Sequence, residues 1–286
     1  MYCTAYARGQ LGRTPPAADD PWRAGHGTRL LFFVGFDNLF IWALVHVAEL
    51  IAHQGRYVLP ETILTNEFYD LEHEKFSTSM GHVVWARELV AEVPRDIVRF
   101  YLTLTAPEHA RTNFSRAALD KVAGQRLVGP WNELAAALAK LTAEVGDATL
   151  PTSVPGRELA AAMTARFRHC YDLDSFSLSR AADLVVQHVD RLRVAAGRLL
   201  GAAGDRDGLP AGLGDLFLQL RALIGCASPI LVDLAGRAAL AGDVTPSLAA
   251  GTAWPAGTTA FAVPALDLRT APAGDPAPAP GPTRTV

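Results

Sequence analysis

The chain has 286 residues, half of them apolar, with 26 basic and 29 acidic side chains and a net charge of −3. That length supports two modest domains with cores of their own, and the slight acidity excludes a generally basic nucleic-acid-coating surface, so DNA is not an expected partner. Cys3, Cys170 and Cys226 lie far apart. Neither a disulfide framework nor a cysteine metal knuckle is therefore expected, and the reducing cytoplasm is the expected setting.

In chain order, residues 1–29 are poor in apolar residues and lack the continuous apolar core of a secretory leader. They read as irregular. Leu30–Gly35 is a continuous apolar run ended by glycine, the pattern of a strand covered on both faces of a parallel sheet. Phe36-Asp37-Asn38 reads as a turn, with Asp37 or Asn38 capping a helix that runs to about His53. Phe40, Leu44, Val47 and Ile51 recur at helical spacing and are expected to face the core. The stretch Leu30–Ala52 contains Asp37, Asn38, His46 and Glu49, and an acidic group near a bilayer centre costs roughly 3 kcal/mol. A membrane span is rejected. Ile63-Leu64-Thr65 opens a second strand, and strand–helix–strand implies a right-handed, parallel connection.

An acidic turn then leads to Lys75-Phe76-Ser77-Thr78-Ser79. Lysine is a mobile point charge with three donors, and three hydroxyls on a loop opening a helix near Gly81 make a grip suited to a polyphosphate. The alternative is a hydroxyl-rich turn that merely caps the helix. Helices are predicted over Gly81–Glu92, with Val84 and Leu89 inward, and from Pro94, with Ile97, Val98, Tyr101 and Leu102 as its buried stripe. Another, capped by Asn113 or Ser115, carries Leu119, Val122 and Leu127 and is broken by Pro130 before Trp131–Val145. Arg157–His169, Leu178–Leu200 (capped by Ser177 or Ser179), Leu213–Leu223 and Pro229–Ala241 follow, with Gly201–Gly214 as a loop. Helical spacing without a strand pattern makes this a bundle. Thr245–Arg269 reads as extended, and Thr270–Val286, rich in Ala, Pro and Gly, as disordered.

Lys75–Ser79 resembles the KMSKS loop of class I aminoacyl-tRNA synthetases in the spelling of methionyl-type enzymes. Its neighbours agree: Thr65-Asn66-Glu67-Phe68 before it, Asp96-Ile97-Val98-Arg99-Phe100-Tyr101-Leu102 after it, then Pro107-Glu108 and Thr112-Asn113-Phe114-Ser115. The resemblance is strong from about Leu31 to Ser115 and weaker to about Arg269. It implies an α/β part followed by an all-α part. Residues 30–110 would be a partial, Rossmann-like class I sheet contributing its fourth and fifth strands, packed on a helical anticodon-binding-like bundle at 111–243. An extended tail at 244–269 would lie back over the catalytic part, and 270–286 would be disordered. The resemblance also implies ATP, brought with Mg2+, and an amino acid as substrates, with tRNA as acceptor. Lys75 would be catalytic, Gly35, Asp37, Asn38, Lys75, Phe76, Ser77, Thr78 and Ser79 would bind ATP, and Trp42 would line the substrate pocket, with no metal site in the protein.

The family's other ATP loop, a HIGH turn after its first strand, has no match here; His26 and His82 are single histidines. Strands one to three have no match either. The expectation is that the chain is a fragment of a longer synthetase-like gene or that a second chain supplies the missing half; alone it would be inactive. Further departures concern specificity: Phe36 replaces the lysine of a G-K-D turn, Thr78 the loop's second lysine, Met80 a common cation and Trp42 a histidine of the methionine pocket. No tryptophan lies between Trp131 and Trp254, although the family stacks its anticodon on one near the end of the bundle. These changes leave open a paralogue that passes its activated acid to a small molecule, as in hydrazine-forming natural-product enzymes, or an inactive regulatory half.

Overall fold

The computed structural model describes residues 22–146, 149–202, 208–242 and 254–270. Of the tail expected to be disordered at 270–286, all but Thr270 lies outside the described residues, as do 244–253 of the expected extended tail and most of the irregular N-terminus. Two compact units are present: one comprises Met1–Phe76 with Ala106–Phe114, the other Ser77–Thr105 with Ser115–Val286.

In the first unit, β1 (Leu30–Gly35) and β2 (Pro60–Asn66) form a parallel pair with Phe32 opposite Ile63 and Gly35 opposite Asn66. The parallel βαβ reading holds. Arg29 joins the start of the pair, donating from Nε and Nη2 to Glu61 at 2.6 Å each. The connecting helix is less regular than its spacing suggests: a 3-10 turn at Phe36–Asn38, a π-helical segment at Phe40–Val45, then α1 (His46–Ala52). Neither Asp37 nor Asn38 caps it. The expected core face is also corrected, because Phe40, Leu44 and Ile51 are 65%, 59% and 58% exposed. Of this unit's described large hydrophobics only Leu50, Leu71 and Phe114 are buried. The helix has apolar residues on every side, and the described residues of this unit cover only a narrow part of it.

A second small sheet places β3 (Tyr69–Leu71) between β4 (Glu74–Lys75) and β5 (Thr112–Phe114), antiparallel to β4 and parallel to β5. Strands of two or three residues carry no readable alternation, so the sequence shows none of them.

The second unit holds the real core. Here α2 (Ala86–Glu92), α3 (Arg95–Leu104), α4 (Arg116–Ala123), α5 (Gly129–Val145), α6 (Val154–Tyr171), α7 (Leu178–Gly201), α8 (Leu209–Ala227) and α9 (Val232–Gly242) are helical. α8 is long and apolar enough to cross a membrane by length and composition, yet it packs on α6 and α7 with Leu213, Phe217, Leu220 and Leu223 fully buried. Ser115 and Ser177 cap α4 and α7, accepting from Ala118 and Arg180 N–H. In α3 the buried stripe includes Phe100 rather than Leu102. Pro130 does not break its helix: a π-helical segment at Gly124–Val128 bridges α4 to α5, with Gly129 N–H donating to Gly124 O. That wider ladder carries the chain past the proline, whose missing N–H falls in the first turn of α5.

α9 begins on a long-range cap. The carboxylate of Asp96, 2% exposed, accepts from Asp233 N–H at 2.9 Å and Leu234 N–H at 2.7 Å. Arg95 pairs with Asp233, and Arg99 donates to the carbonyls of Pro229 and Ile230. The D-I-V-R stretch of α3 thus clamps the turn into α9.

Trp254–Thr270 runs extended as a strap. Thr152 N–H and Oγ1–H donate to the carbonyls of Ala256 and Pro255, and β6 (Leu150–Pro151) pairs with β7 (Gly257–Thr258). Further along, Arg221 reaches Thr259 and stacks over Phe261, Trp131 Nε1–H donates to Pro264 O at 2.8 Å, and Asn132 bonds both ways with the Leu266 backbone. Arg269 pairs bidentately with Asp120, and Thr270 N–H reaches Glu92 O.

Candidate functional site: the lysine loop and the end of the first strand

From Asn66, the last residue of β2, two residues lead into β3. The β3–β4 turn is Glu72-His73, and both residues have positive φ, 49° and 70°. That is the requirement of a type I′ hairpin turn, usually met by Asn or Gly. The left-handed backbone is held from β5: Glu72 N–H donates to Phe114 O at 3.0 Å and His73 N–H to Asn113 Oδ1 at 2.6 Å. Asn113 is therefore not a helix cap but the brace of this turn.

The hairpin presents Lys75, exposed and in register opposite Asp70. Asp70 is engaged from elsewhere, because Arg111 Nη1 lies 3.7 Å from its carboxylate while the guanidinium sits 5.3 Å above the Phe68 ring. No ion pair among the described residues includes Lys75. Its ammonium is an uncommitted cation on a braced support. Phe76, half-buried, ends the first unit.

In the second unit, Ser77 N–H donates to His82 O at 2.9 Å and Gly81 N–H to Thr78 O at 3.2 Å, with Gly81 at φ 70°. The Ser77 and Ser79 hydroxyls lie 3.2 Å apart, and Thr78 and Ser79 are exposed. This tight turn does not open a helix at Gly81. The helix starts at Ala86, with Trp85 at the N-cap making no side-chain bond, so the helix-dipole part of the expected phosphate grip is corrected. Hydroxyls and loop N–H groups remain.

At the end of β1, Gly35 leads to Asp37 and Asn38, whose side chains bond each other, Nδ2–H to Oδ1, at 2.9 Å. A Cβ at Gly35 would stand 3.0 Å from that Asp37 oxygen. Trp42 lies within the π-helical segment, a feature frequent at functional sites. Its ring meets Phe32 edge-on at 5.4 Å and His46 at 5.3 Å, while Phe32 and His46 are 5.8 Å apart. Trp42 is 40% exposed, so it is one wall of an open aromatic trio and not a core residue. Sequence reading singled out Trp42 but missed His46 and Phe32, whose proximity depends on helix and strand meeting face to face. It also missed Asp70 and the bracing role of Asn113. Among the described residues no cluster of three or more His, Cys, Asp or Glu is arranged to hold a metal ion.

A family profile described as tRNA synthetases class I (M) matches residues 7–138. The methionine–tRNA ligase of Porphyromonas gingivalis is 36% identical over 112 residues, 37% of this chain and 16% of the ligase. That of Flavobacterium johnsoniae is 29% identical over 186 residues, 64% and 25%, and that of Caldivirga maquilingensis 38% over 109 residues, 37% and 18%. In structure the chain is similar to Mycobacterium tuberculosis methionyl-tRNA synthetase bound by methionyl-adenylate, with TM-score 0.66 and 17% identity over 82% of this chain and 50% of that one. The free form of the same synthetase gives 0.64 and 16% identity. The chain thus spans a quarter or less of these ligases' length and half that of the solved synthetase chains. Taken together, the lysine loop, the parallel βαβ unit and these likenesses make the chain similar, over part of its length, to methionyl-type class I tRNA synthetases.

Proposed function

We propose that the chain is the lysine-loop-bearing part of a body that activates an amino acid with ATP, releasing pyrophosphate and forming aminoacyl-AMP. One observation carries the reading: Lys75 stands exposed on a hairpin braced by Asn113, and no ion pair among the described residues claims its charge. ATP enters with its Mg2+ as substrate. An oxygen of the amino-acid carboxylate attacks the α-phosphorus, and the bond from that phosphorus to the oxygen bridging to the β-phosphate breaks. The electron pair leaves on pyrophosphate. Lys75 and the hydroxyls of Ser77, Thr78 and Ser79 neutralise and hold that leaving group, so the contribution is positioning and charge stabilisation. Asp37 and Asn38 lie toward the adenosine or the amino acid's ammonium, and Trp42 toward its side chain. The activated acid passes to tRNA in the family's usual way, in the cytoplasm, with the helical bundle as the anticodon-side domain. The complex of the structurally similar Mycobacterium tuberculosis synthetase with methionyl-adenylate supports adenylate chemistry.

A second reading, transfer to a small-molecule acceptor, is favoured by Thr78 in place of a lysine, by Trp42, and by the lack of any tryptophan from 132 to 253. A catalytically inactive partner half is the third. The test is amino-acid-dependent exchange of pyrophosphate into ATP, run over all twenty amino acids. The chain is supplemented with the segment of the Mycobacterium tuberculosis synthetase that it does not match. Exchange with one acid is expected, and Lys75→Ala should slow it by about 10²–10³-fold with the fold unchanged. Absence of exchange with every acid rejects activation. A tRNA-binding titration against salt separates the acceptors, because phosphate contacts weaken steeply as salt rises.

A further inference from the structure

In the helical bundle, the last turns of α6 and the first turns of α7 border a groove of about 510 Å³, a volume in the range of small-molecule sites. Its floor is apolar: Cys170 and Leu184 line it and are each 4% exposed. Its rim is cationic. Arg166 and Arg180 both line the groove and are exposed, and no ion pair among the described residues includes either guanidinium. Arg166 Nη2 makes a long contact of 3.4 Å to Gln187 Oε1, and Arg180 Nη2 donates to Ser175 O at 2.6 Å. Most donors of each fork are left for another acceptor.

The acidic residue of the groove does not offset them. Asp183 is engaged from the π-helical segment before α5, where Arg126 Nη2 lies 2.9 Å from its carboxylate. The positive potential reaches the core nearby: burial lowers the pKa of His188, and the charges of Arg191 and Arg166 lower it further. Two unpaired guanidiniums in one concave space repel each other, and an anion in that space relieves the repulsion while using both forks.

The two forks select the head group. A phosphate monoester carries about −1.5 to −2 charge at neutral pH and three acceptor oxygens, which matches two guanidiniums; a carboxylate or a phosphodiester brings a single charge. His169 selects the body. The Ser175 hydroxyl donates to His169 O at 2.5 Å and so accepts from His169 Nδ1 at 3.0 Å, which leaves Nε2 as an acceptor for a hydroxyl. The geometry points to a second small-molecule site, the groove between α6 and α7, that binds a sugar phosphate. Arg166 and Arg180 hold the phosphate, Cys170 and Leu184 support the carbon skeleton, and His169 accepts from a sugar hydroxyl. The site shares no residue with the lysine loop and does not depend on the activation reading above.

The experiment titrates the purified 286-residue chain by calorimetry at fixed ionic strength with ribose-5-phosphate and glucose-6-phosphate. Ribose, inorganic phosphate and tRNA are the comparison probes. One sugar phosphate or both should bind at a single site, at least about tenfold tighter than inorganic phosphate, with no binding of ribose. Arg166→Gln and Arg180→Gln should each weaken that binding at least about tenfold, whereas Lys75→Ala should leave it unchanged. Both arginines are exposed, and circular dichroism checks that the fold survives. The proposal is overturned if neither sugar phosphate binds, or if the arginine variants bind as well as the parent chain. It is also overturned if inorganic phosphate binds as tightly, which marks an adventitious ion only, or if Lys75→Ala abolishes the binding, which places it at the lysine loop. If tRNA alone binds and both arginine variants weaken it, the groove is an RNA surface and the small-molecule site is rejected.

Discussion

Replacing Asp96 by Ala should unfasten α9 from α3 and cost about 3–5 kcal/mol. The figure comes from the two backbone N–H groups that its carboxylate accepts, at 2.9 and 2.7 Å. Bonds to a charged acceptor contribute roughly 1.5–3 kcal/mol each, and a buried donor left unsatisfied costs about as much again as a neutral bond. Leu234 is 1% exposed, so water does not readily replace the lost acceptor at its N–H, and the favourable charge at the helix N-terminus disappears as well. Asp96→Asn keeps an acceptor oxygen in place and should cost less, about 1–2 kcal/mol. Arg95→Ala removes only the exposed partner of Asp233 and should cost less than about 1 kcal/mol. Urea unfolding followed by tryptophan fluorescence measures all three. A loss under about 1 kcal/mol for Asp96→Ala would refute the view that this carboxylate is the cap of α9, as would an equal loss for Asp96→Asn.

His188 is 5% exposed with Nε2 unpartnered, and burial, aided by Arg191 and Arg166, lowers its pKa from 6.5 to about 4. The unfolded chain takes up the proton first, so stability should fall as pH drops from 6.5 toward 4, by about 2 kcal/mol between pH 7 and 5; His188→Leu should flatten that slope in urea titrations. A Cβ at Gly214 would stand 2.1 Å from Pro151 O, so Gly214→Ala should destabilise by about 3 kcal/mol or more, read as a lowered melting temperature. His73→Gly should stabilise the hairpin by about 1 kcal/mol, because φ 70° strains a side-chain-bearing residue. Asn113→Ala should instead loosen the hairpin by about 1 kcal/mol, seen as faster amide exchange at His73.

What could be read from the chain follows the length of each pattern. The parallel pair and the Ser115 and Ser177 caps are found as read, and so are the bundle helices in outline, except that Pro130 does not break its helix and α8 begins at Leu209, inside the expected Gly201–Gly214 loop. The family resemblance was legible because Lys75–Ser79 came with flanking segments of matching type. Those segments turn out to have structural work of their own: Asp96 and Arg99 hold the turn into α9, while Asn113 braces the lysine hairpin. None of these roles is visible locally, because the partners lie 40 to 138 residues away. Phe40, Leu44 and Ile51 failed for a different reason. Helical spacing tells which residues share a face, but not whether anything stands opposite that face. The π-helical turns are likewise a response to packing and to Pro130, and no residue type announces them.

The strap has a consequence for synthesis. Residues 254–270 close hydrogen bonds onto Glu92, Asp120, Trp131 and Asn132, which leave the ribosome more than a hundred positions earlier. Until the strap emerges, the indole of Trp131 lacks its acceptor and α5 lacks its cover, so the nascent bundle must wait partly open. Tryptophan emission during translation would therefore mark the moment of latching.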